Sequence, residues 1–333
     1  MSLKNGAPSA SPALRMGVVG AGVMGSNHAR VLMGLPGVTM VGIVDPLPAH
    51  RERAARLVGC PTFENLDQLI AAGVDAVTVA APTHLHHEVS LALIARGIHV
   101  LVEKPIASSV EEGEEIVAAA RKAGVTLMVG HVERFNPAVA AIKQAIKGED
   151  ILSIAITRVG PFPPRMSNVG VVIDLAVHDI DLIRWFTESD IIDVQPQLSS
   201  AVAEREDIAL LQFRTESGVL AHINTNWLTP FKARSVTVAT RGKYVMGDLL
   251  TRQVTECFGF QPDGAYSMRH LSVGHDEPLR AELLAFAEAV RTGQAPAVTG
   301  DEGVASLAIA IQCLEAPSPA VGAAVQNSRR AVG

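Results

Sequence analysis

The fold of the first part of this chain is decided by one stretch, Val18-Val19-Gly20-Ala21-Gly22-Val23-Met24-Gly25. An apolar run from Leu14 to Val19 leads into this Gly-x-Gly-x-x-Gly pattern, and good helix formers follow it. The predicted order is therefore strand, tight glycine turn and helix. Gly20 permits the turn, Gly22 lets a ligand approach the backbone, and Gly25 lets the helix pack on the strand.

The context of the glycine pattern predicts a bound dinucleotide. A second apolar strand, Thr39 to Val44, ends in Asp45, twenty residues after Gly25, which is the spacing of the dinucleotide fingerprint. The helix N-terminus presents free N–H groups to the pyrophosphate. The carboxylate of Asp45 would accept hydrogen bonds from the adenosine ribose and repel a 2′-phosphate, which favours NAD over NADP. The predicted cofactor residues here are Gly20, Gly22, Val23, Met24, Gly25 and Asp45. The alternative is a glycine turn with a purely structural role.

Length and composition limit the class of protein. With 333 residues the chain is longer than one typical domain, so we expect two domains with separate cores. A formal net charge of −6 disfavours a nucleic-acid-binding surface. The three cysteines form no Cys-x-x-Cys pair, which indicates a reducing compartment and no zinc site. No apolar stretch approaches the roughly 18 residues of a membrane span, and residues 1–13 resemble a flexible lead. We therefore expect a cytoplasmic protein that binds no membrane.

The order of predicted strands and helices along the chain indicates an α/β domain followed by an α+β domain. Strands alternate with helices over 14–130, which predicts a Rossmann fold, a doubly wound parallel sheet that binds the dinucleotide. Over 131–333, short strands joined by turn signals predict a substrate-binding domain on a largely antiparallel open sheet. A sheet face free of helices exposes apolar surface, so we expect this domain to join subunits in a homodimer or homotetramer.

The first candidate for chemistry is Glu103-Lys104-Pro105, directly after the predicted strand His99 to Val102. In a doubly wound sheet the carboxyl ends of the strands face the ligand crevice, so this charged pair is expected beside the nicotinamide. Lys104 would hold a substrate hydroxyl or take its proton. The alternative is an ordinary exposed loop lysine.

The second candidate is Asp174-Leu175-Ala176-Val177-His178, continuing to Asp181, on a predicted helix from Val171 to Phe186. Positions i, i+4 and i+7 share one face of an α-helix, so Asp174, His178 and Asp181 would form a polar stripe. A histidine one turn from a carboxylate is suited to passing protons near neutral pH. A hydrogen-bonded structural histidine is the alternative.

The third candidate is His84-Leu85-His86-His87, which follows Pro82 and Thr83. His84 and His87 have the i, i+3 spacing of a metal pair, but no carboxylate or cysteine in the neighbouring sequence completes a site. We therefore predict no metal, and expect these histidines to line the start of a helix that Thr83 caps.

Several cations are candidates for binding an anionic substrate. If the segment from Asn226 to Arg234 is extended, Lys232 and Arg234 share one face because side chains alternate with period two. The candidates for a phosphorylated or nucleotide-linked sugar are Lys232, Arg234, His131, Arg134 and Arg165. Ordinary solvated charges are the alternative.

Taken together, the motifs resemble the glucose–fructose oxidoreductase / inositol dehydrogenase (Gfo/Idh/MocA) family over most of the chain. The resemblance is carried, in this order, by Gly20-x-Gly22-x-x-Gly25, Pro82-Thr83-His84-Leu85-His86, Glu103-Lys104-Pro105 and Asp174-x-x-x-His178. It implies a two-domain, often dimeric or tetrameric, oxidoreductase acting on CH–OH groups. It also implies that Lys104 and His178 are the catalytic pair, with Asp174 beside them, and that Pro82, Thr83, His86, Glu103 and Lys104 surround the cofactor.

Three further segments are similar to family members that oxidise the 3-hydroxyl of UDP-N-acetylglucosamine or a similar nucleotide sugar. They are residues 130–137, 158–161 and 226–230. The expected function is thus an NAD-dependent dehydrogenase of a sugar hydroxyl, with a simple sugar or inositol as the alternative substrate. A non-catalytic NAD-binding sensor is the alternative of another class, and it would need the glycine turn but not Lys104 with His178.

Overall fold

The structure is a computed structural model that describes residues 12–163 and 169–316, and these residues form two compact units. The first unit comprises the described residues up to Ala145, together with Arg252–Val254 and His270–Ala308. The second comprises Ile146–Thr251, Thr255–Arg269 and the described residues from Ile309. Arg165 and most of the predicted lead lie outside the described residues.

The first unit is built on six parallel strands. They are β1 (Leu14–Val19), β2 (Val38–Val44), β3 (Thr62–Phe63), β4 (Ala76–Val79), β5 (His99–Glu103) and β6 (Leu127–Gly130). Their order is β3-β2-β1-β4-β5-β6, and every pairing is parallel. Strands β4 and β6 are buried along their whole length, as expected for parallel strands covered on both faces. The order reverses between β1 and β4, where such sheets bind their ligands. The predicted Rossmann fold is confirmed.

Helices cover this sheet. They are α1 (Val23–Met33), α2 (Pro48–Val58), α3 (Leu66–Ala71), α4 (His86–Ile94), α5 (Val110–Ala123) and α6 (Pro137–Ala145). The start of α5 is fixed by the Ser109 side chain, which accepts the N–H of Glu112 at 3.3 Å. The predicted Thr83 cap is wrong, because Thr83–Leu85 forms a separate 3₁₀ turn whose start has no side-chain cap.

The second unit is built on a larger sheet. It contains helix α7 (Val177–Thr187), which lies between its first two strands in the chain. The strands are β7 (Ile151–Pro161), β8 (Ile191–Ser199), β9 (Ile208–Thr215), β10 (Leu220–Asn226), β11 (Leu228–Thr240), β12 (Lys243–Asp248), β13 (Gln253–Phe258) and β14 (Ser267–His270). Their order is β14-β13-β12-β11-β7-β10-β9-β8. Strand β7 pairs parallel with β10 and antiparallel with β11, so the sheet is mixed but largely antiparallel, as predicted.

One face of this second sheet is packed and the other carries exposed side chains. Along β9, Ala209, Leu211 and Phe213 are buried, whereas Leu210 between them is 49% exposed. Helix α7 packs against β7. The alternation is that of an antiparallel sheet with one covered face.

Two helices near the end of the described chain return to the first unit. They are α8 (Pro278–Thr292) and α9 (Gly300–Glu315), of which α9 belongs to this unit as far as Ala308. Helix α8 packs on α1, and the guanidinium of Arg291 donates to the carbonyl of Gly37 at 2.6 Å. The first unit is therefore discontinuous in sequence, with one part before Ile146 and others returning at Arg252–Val254 and from His270.

Candidate active site

The glycine turn lies between β1 and α1, and each of its three glycines meets a different requirement. Gly20 has φ +99°, and a Cβ on it would lie 2.5 Å from the carbonyl oxygen of Ala80. A Cβ on Gly25 would lie 1.7 Å from the carbonyl oxygen of Gly20. Around Gly22, by contrast, no heavy atom lies within 4 Å of the Cβ position. The turn is thus closed on its protein side and leaves at Gly22 a cradle that a side chain would fill.

That cradle fits a dinucleotide pyrophosphate. Gly22 is the N-cap of α1, no side chain caps this helix end, and Val23 and Met24 are exposed in its first turn. Backbone N–H groups at a helix N-terminus bind phosphate by hydrogen bonds and by the helix dipole. The donors, the open space and the topological switch point therefore coincide in the first unit.

Asp45 lies at the end of β2, where the ribose carboxylate was predicted, and it also supports the glycine turn. Its Oδ2 accepts the N–H of Ala21 at 2.9 Å, and its Oδ1 accepts the N–H of Leu47 at 2.9 Å. The ring Nδ1 of His50 lies 3.2 Å from Oδ2. A carboxylate offers about four lone-pair positions, so these contacts leave capacity for a ribose hydroxyl.

His86 links two turns at the carboxyl edge of the first sheet. Its Nδ1 lies 2.9 Å from the carbonyl oxygen of Pro105, and its Nε2 lies 2.9 Å from that of Ala81. The side chain is almost fully buried, and burial lowers the pKa of His86 despite these two carbonyl partners. Because both ring nitrogens face the protein's own backbone, His86 holds the Lys104–Pro105 turn and is not placed to contact a cofactor itself.

Lys104 follows β5 directly, and the peptide bond to Pro105 is cis. The Lys104 side chain is half-buried, whereas Glu103 is 8% exposed. The Lys104 N–H donates to Oε2 of Glu103 at 3.3 Å, and Nε2 of His28 lies 2.8 Å from Oε1. The Glu103 side chain therefore points back into the protein and holds the turn, while Lys104 is the more accessible of the pair.

The sequence reasoning missed two residues behind this turn, His28 of α1 and Glu282 of α8. Among the described residues, His28, Glu103 and Glu282 are the one group of three metal-competent side chains whose ligand atoms all lie within 4.8 Å of one another. His28 follows the glycine pattern by three positions, and Glu282 interrupts an apolar stripe. These two positions in the sequence were the only features that could have indicated that the two residues lie near the site. Of the two histidines at metal-pair spacing, for which no metal was predicted, His87 contacts a carboxylate, with Nε2 2.7 Å from Glu115 Oε2.

In the second unit, Asp174 and His178 lie where a regular helix is interrupted. Val172–Ala176 forms a π-helical turn, and α7 begins at Val177. A π-turn bonds i to i+5, so the α-helical spacing behind the predicted polar stripe does not hold between Asp174 and His178. Both side chains are half-buried, whereas Asp181 is 1% exposed. Such π-turns occur frequently at functional sites.

The residue after His178 anchors this helix to the sheet. Asp179 is fully buried, and its carboxylate pairs with Arg158 of β7, with Nη2 2.7 Å and Nε 3.0 Å from Oδ1. A two-pronged guanidinium–carboxylate contact fixes geometry as well as charge. The pair therefore sets the orientation of α7 and of His178 beside it. Sequence reasoning had not singled out Asp179.

The predicted substrate cations are not in one environment. In the first unit His131 and Arg134 are buried, and Arg134 Nη1 lies 2.7 Å from Glu302 Oε1, so this guanidinium is committed to α9. In the second unit, the pairing of β11 with β7 shifts register between Leu228 and Ala233. Lys232 lies within this irregular segment, whereas Arg234 lies where the pairing is regular. Period-two alternation thus does not fix Lys232 and Arg234 on one face. Arg165 lies outside the described residues.

No helix in the described part of the chain combines the length and the apolar character needed to cross a bilayer.

Comparison with known proteins agrees with this arrangement. The profile of the oxidoreductase family with an NAD-binding Rossmann fold, Gfo/Idh/MocA, matches residues 14–131. That of the Gfo/Idh/MocA C-terminal domain matches residues 152–245. Both halves of the chain thus match the same family.

Individual relatives lead to the same family. Inositol 2-dehydrogenase 1 of Saccharopolyspora erythraea is 30% identical over 322 residues, which are 91% of this chain and 94% of that protein. UDP-N-acetylglucosamine 3-dehydrogenase of Acidithiobacillus ferrooxidans is 29% identical over 237 residues, 71% of this chain and 74% of that protein. The solved structure of UDP-N-acetylglucosamine 3-dehydrogenase GnnA from Acidithiobacillus ferrooxidans is similar with a TM-score of 0.84 at 26% identity, covering 92% of this chain and 98% of that one. The chain belongs to the Gfo/Idh/MocA family of NAD-binding oxidoreductases.

Proposed function

We propose that this protein is an NAD-dependent dehydrogenase that oxidises a secondary hydroxyl of a sugar to a ketone. The observation that carries the proposal is the open cradle at Gly22, at the switch point of a sheet whose strand β5 leads directly into Lys104. Bound NAD would accept the hydride from the carbinol carbon of the substrate. The residues of the chain then have to bind the alcohol and receive its proton.

We assign the proton transfer to Lys104 and His178. One of the two takes the hydroxyl proton, and the other donates a hydrogen bond to the oxygen on which negative charge develops. Asp174 orients the sugar or the histidine. The support is the pair of motifs, the half-buried position of each side chain within its own unit, and the π-turn beside His178. In the first unit Gly20, Gly22, Val23, Met24, Gly25, Asp45, Pro82, Thr83, Glu103 and Lys104 form the proposed cofactor site, and His86 positions two of its turns.

As the first substrate to test we propose a UDP-N-acetylhexosamine oxidised at its 3-hydroxyl. This choice is supported by the similarity in sequence and in structure to UDP-N-acetylglucosamine 3-dehydrogenase of Acidithiobacillus ferrooxidans, and by two cations of β11, Lys232 and Arg234. Those cations would face the diphosphate. Arg134 has no place in this proposal because its guanidinium is bound to Glu302.

Inositol is the second candidate substrate, and one observation favours it. The inositol 2-dehydrogenase of Saccharopolyspora erythraea matches a larger share of this chain than the UDP-N-acetylglucosamine 3-dehydrogenase does, 91% against 71%. An uncharged cyclitol would need no cation for a diphosphate. With inositol as the substrate, Lys232 and Arg234 would have no diphosphate to bind, whereas Lys104 and His178 would still carry out the proton transfer.

The deciding experiment measures NADH formation with UDP-N-acetylglucosamine, D-glucose and myo-inositol. Lys104→Met and His178→Asn should each lower kcat by at least about 100-fold on the best substrate, the lower range for a positioned acid or base. Lys122→Met and His222→Asn are matched controls, because both residues are exposed on other elements. If the Lys104 and His178 variants keep the activity of their controls, the catalytic assignment is wrong.

For the assembly and location we propose a cytoplasmic homodimer or homotetramer. The support is the exposed apolar side chains on the second sheet, with Leu210 at 49%, Leu220 at 50% and Tyr244 at 40% exposure. Light scattering of the purified protein gives the subunit number. If Leu210→Glu leaves a multimer unchanged in mass and stability, this face is not the interface.

A further inference from the structure

The start of the π-turn at Val172–Ala176 is capped by a residue from a distant loop of the second unit. The loop joins β8 to β9, and the residue is Glu206, which is half-buried. Its Oε1 accepts the N–H of Val172 at 3.1 Å, and its backbone carbonyl accepts the N–H of Val171 at 2.9 Å. The first N–H groups of a helix have no acceptor within the helix, so Glu206 supplies acceptors for two of them.

Gly170, directly before this helix start, makes room for the Glu206 carboxylate. A Cβ on Gly170 would lie 1.8 Å from Oε1, 2.0 Å from Cδ and 2.1 Å from Oε2 of Glu206. The carboxyl group thus occupies the space of a side chain at position 170. Gly170 is buried, and its φ lies outside the left-handed region, so its backbone conformation would allow alanine. The close approach of Glu206 is what excludes a larger residue here.

The loop that presents Glu206 is fixed from within. Asp207 follows Glu206 and is fully buried, and its carboxylate accepts three backbone N–H groups of the loop. They are those of Ala201, Val202 and Ala203, at 2.9, 2.6 and 2.9 Å. A loop closed on a buried carboxylate has few alternative conformations. A fixed backbone therefore places the Glu206 side chain at the helix start.

The π-turn competes with a regular α-helix formed by the same residues. Conversion to an α-helix would turn Asp174 relative to His178 by up to about 100°, which is the rotation of one residue. Val171, the N-cap residue, is apolar and offers no side-chain acceptor. A carboxylate at this end is also favoured by the partial positive charge of a helix N-terminus. Glu206 thus fixes the end of the turn from which such a change can begin.

We infer that Glu206 holds the π-turn in place and thereby positions Asp174 and His178. The inference rests on the proposed catalytic role of His178. Glu206 is a positioning residue, because it acts on the reaction only through the backbone N–H groups at the helix start. Gly170 is part of the same arrangement, since it leaves the space in which the carboxylate accepts from the helix.

The first test follows the capping hydrogen bond itself and needs no substrate. Hydrogen–deuterium exchange of the whole protein, read at the Val172 amide, should be about 10- to 150-fold faster in Glu206→Ala, the effect of losing a hydrogen bond to a charged acceptor. Glu206→Gln keeps an oxygen acceptor and should exchange much more slowly than Glu206→Ala. An unchanged Val172 rate in Glu206→Ala overturns the inference.

The second test asks whether the cap positions the reacting groups. Glu206→Ala should lower kcat about 10- to 100-fold, the cost of a reacting group displaced by about 1 Å, and Glu206→Gln should recover most of it. The Kd for NADH should change little, because the glycine turn belongs to the first unit. A merely structural cap would lower Tm and leave kcat per folded molecule at the parent value. That result, or a Glu206→Gln protein as slow as Glu206→Ala, refutes the positioning role.

Gly170→Ala displaces the carboxylate without removing it. The new methyl group and the Glu206 carboxyl group cannot share the same space, so Gly170→Ala should lower kcat and speed exchange at Val172 as Glu206→Ala does. In the Glu206→Ala background the carboxyl group is gone, and Gly170→Ala should have little further effect. Effects that simply multiply would show that the two residues act independently and would overturn the inference. Gly170→Ala also gives the answer if Glu206→Ala is too unstable to assay.

Glu204 provides the matched control in the same loop. Its side chain is exposed, so Glu204→Ala and Glu204→Gln should match the parent protein in exchange and in kcat. Failure of the inference and failure of the proposed function give different patterns. If His178→Asn is fully active, the proposed role of His178 fails, whereas exchange at Val172 still decides whether Glu206 caps the helix.

Discussion

Gly22→Ala should separate cofactor binding from folding. Gly22 has φ −66° and ψ −165°, a backbone conformation that alanine adopts without strain, and no heavy atom lies within 4 Å of the new methyl position. Alanine restricts the unfolded chain and thereby stabilises the protein by about 0.4–1 kcal/mol. It is a poorer N-cap than glycine by about 1 kcal/mol. These contributions nearly cancel, so Tm should stay within about 4 °C of the parent value.

Binding should respond very differently to the same methyl group. The methyl would occupy the space through which the pyrophosphate approaches the backbone, and overpacking of this kind costs about 1–3 kcal/mol. The Kd for NADH should therefore rise about 5- to 150-fold. Titration of NADH fluorescence measures it, with thermal unfolding recorded on the same preparation.

Gly25→Ala is the informative partner of this variant. Its Cβ would lie 1.7 Å from the carbonyl oxygen of Gly20, so the turn or the helix must move and both stability and binding should fall. A folded Gly22→Ala protein that binds NADH as tightly as the parent would refute the location of the pyrophosphate. A Gly22→Ala protein that loses stability like Gly25→Ala would show that the cradle is not open.

Three further predictions concern individual carboxylates. Arg158→Met removes the guanidinium that pairs with the buried Asp179 carboxylate and should cost about 3–5 kcal/mol in urea denaturation; Arg158→Met with Asp179→Leu should recover much of this loss, and a double variant no better than the single one would contradict the prediction. Burial acts to raise the pKa of Asp207, but the backbone N–H groups that donate to its carboxylate outweigh burial, and the pKa lies below its usual value. The Asp207 carboxylate therefore stabilises the fold fully above its unfolded pKa, and this stabilisation is lost as the pH falls through the lower, folded pKa. The difference in unfolding free energy between parent and Asp207→Asn should thus be largest above about pH 4 and shrink in stronger acid; a difference that grows in acid would reverse the assignment. Asp45→Ala should raise the ratio of NADP to NAD turnover, and an unchanged ratio would remove Asp45 from the ribose site, even if affinity for both cofactors falls because Ala21 loses its acceptor.

The sequence allowed the positions of the proposed cofactor residues in the fold to be predicted, because the features that determine those positions are local. Each glycine of the turn acts on the strand and helix next to it. The position of Lys104 follows from a single rule, that the carboxyl ends of parallel strands share one edge of the sheet. Asp45 at the end of β2 is placed by the same rule. For such residues the spacing along the chain is enough to predict the neighbourhood in space.

The remaining features depend on contacts between distant segments. Glu282 looks like an ordinary helix charge until α8 packs on α1 and buries it beside Glu103. Arg134 looked like a substrate cation because nothing nearby in sequence reveals Glu302, its partner from α9. The π-turn beside His178 is a change in hydrogen bonding that apolar periodicity does not report.

The discontinuity of the first unit has a consequence for how the protein is made. Domains generally fold from the N-terminus during synthesis, but here the helix that packs on α1 begins at Pro278. A nascent chain that has emerged only as far as Ala145 has its six strands, yet it lacks α8, Glu282 and the contact of Arg291 with Gly37. The nucleotide-binding unit therefore emerges from the ribosome without α8. Its packing on α1 can be completed only after all the strands of the second sheet have been synthesised.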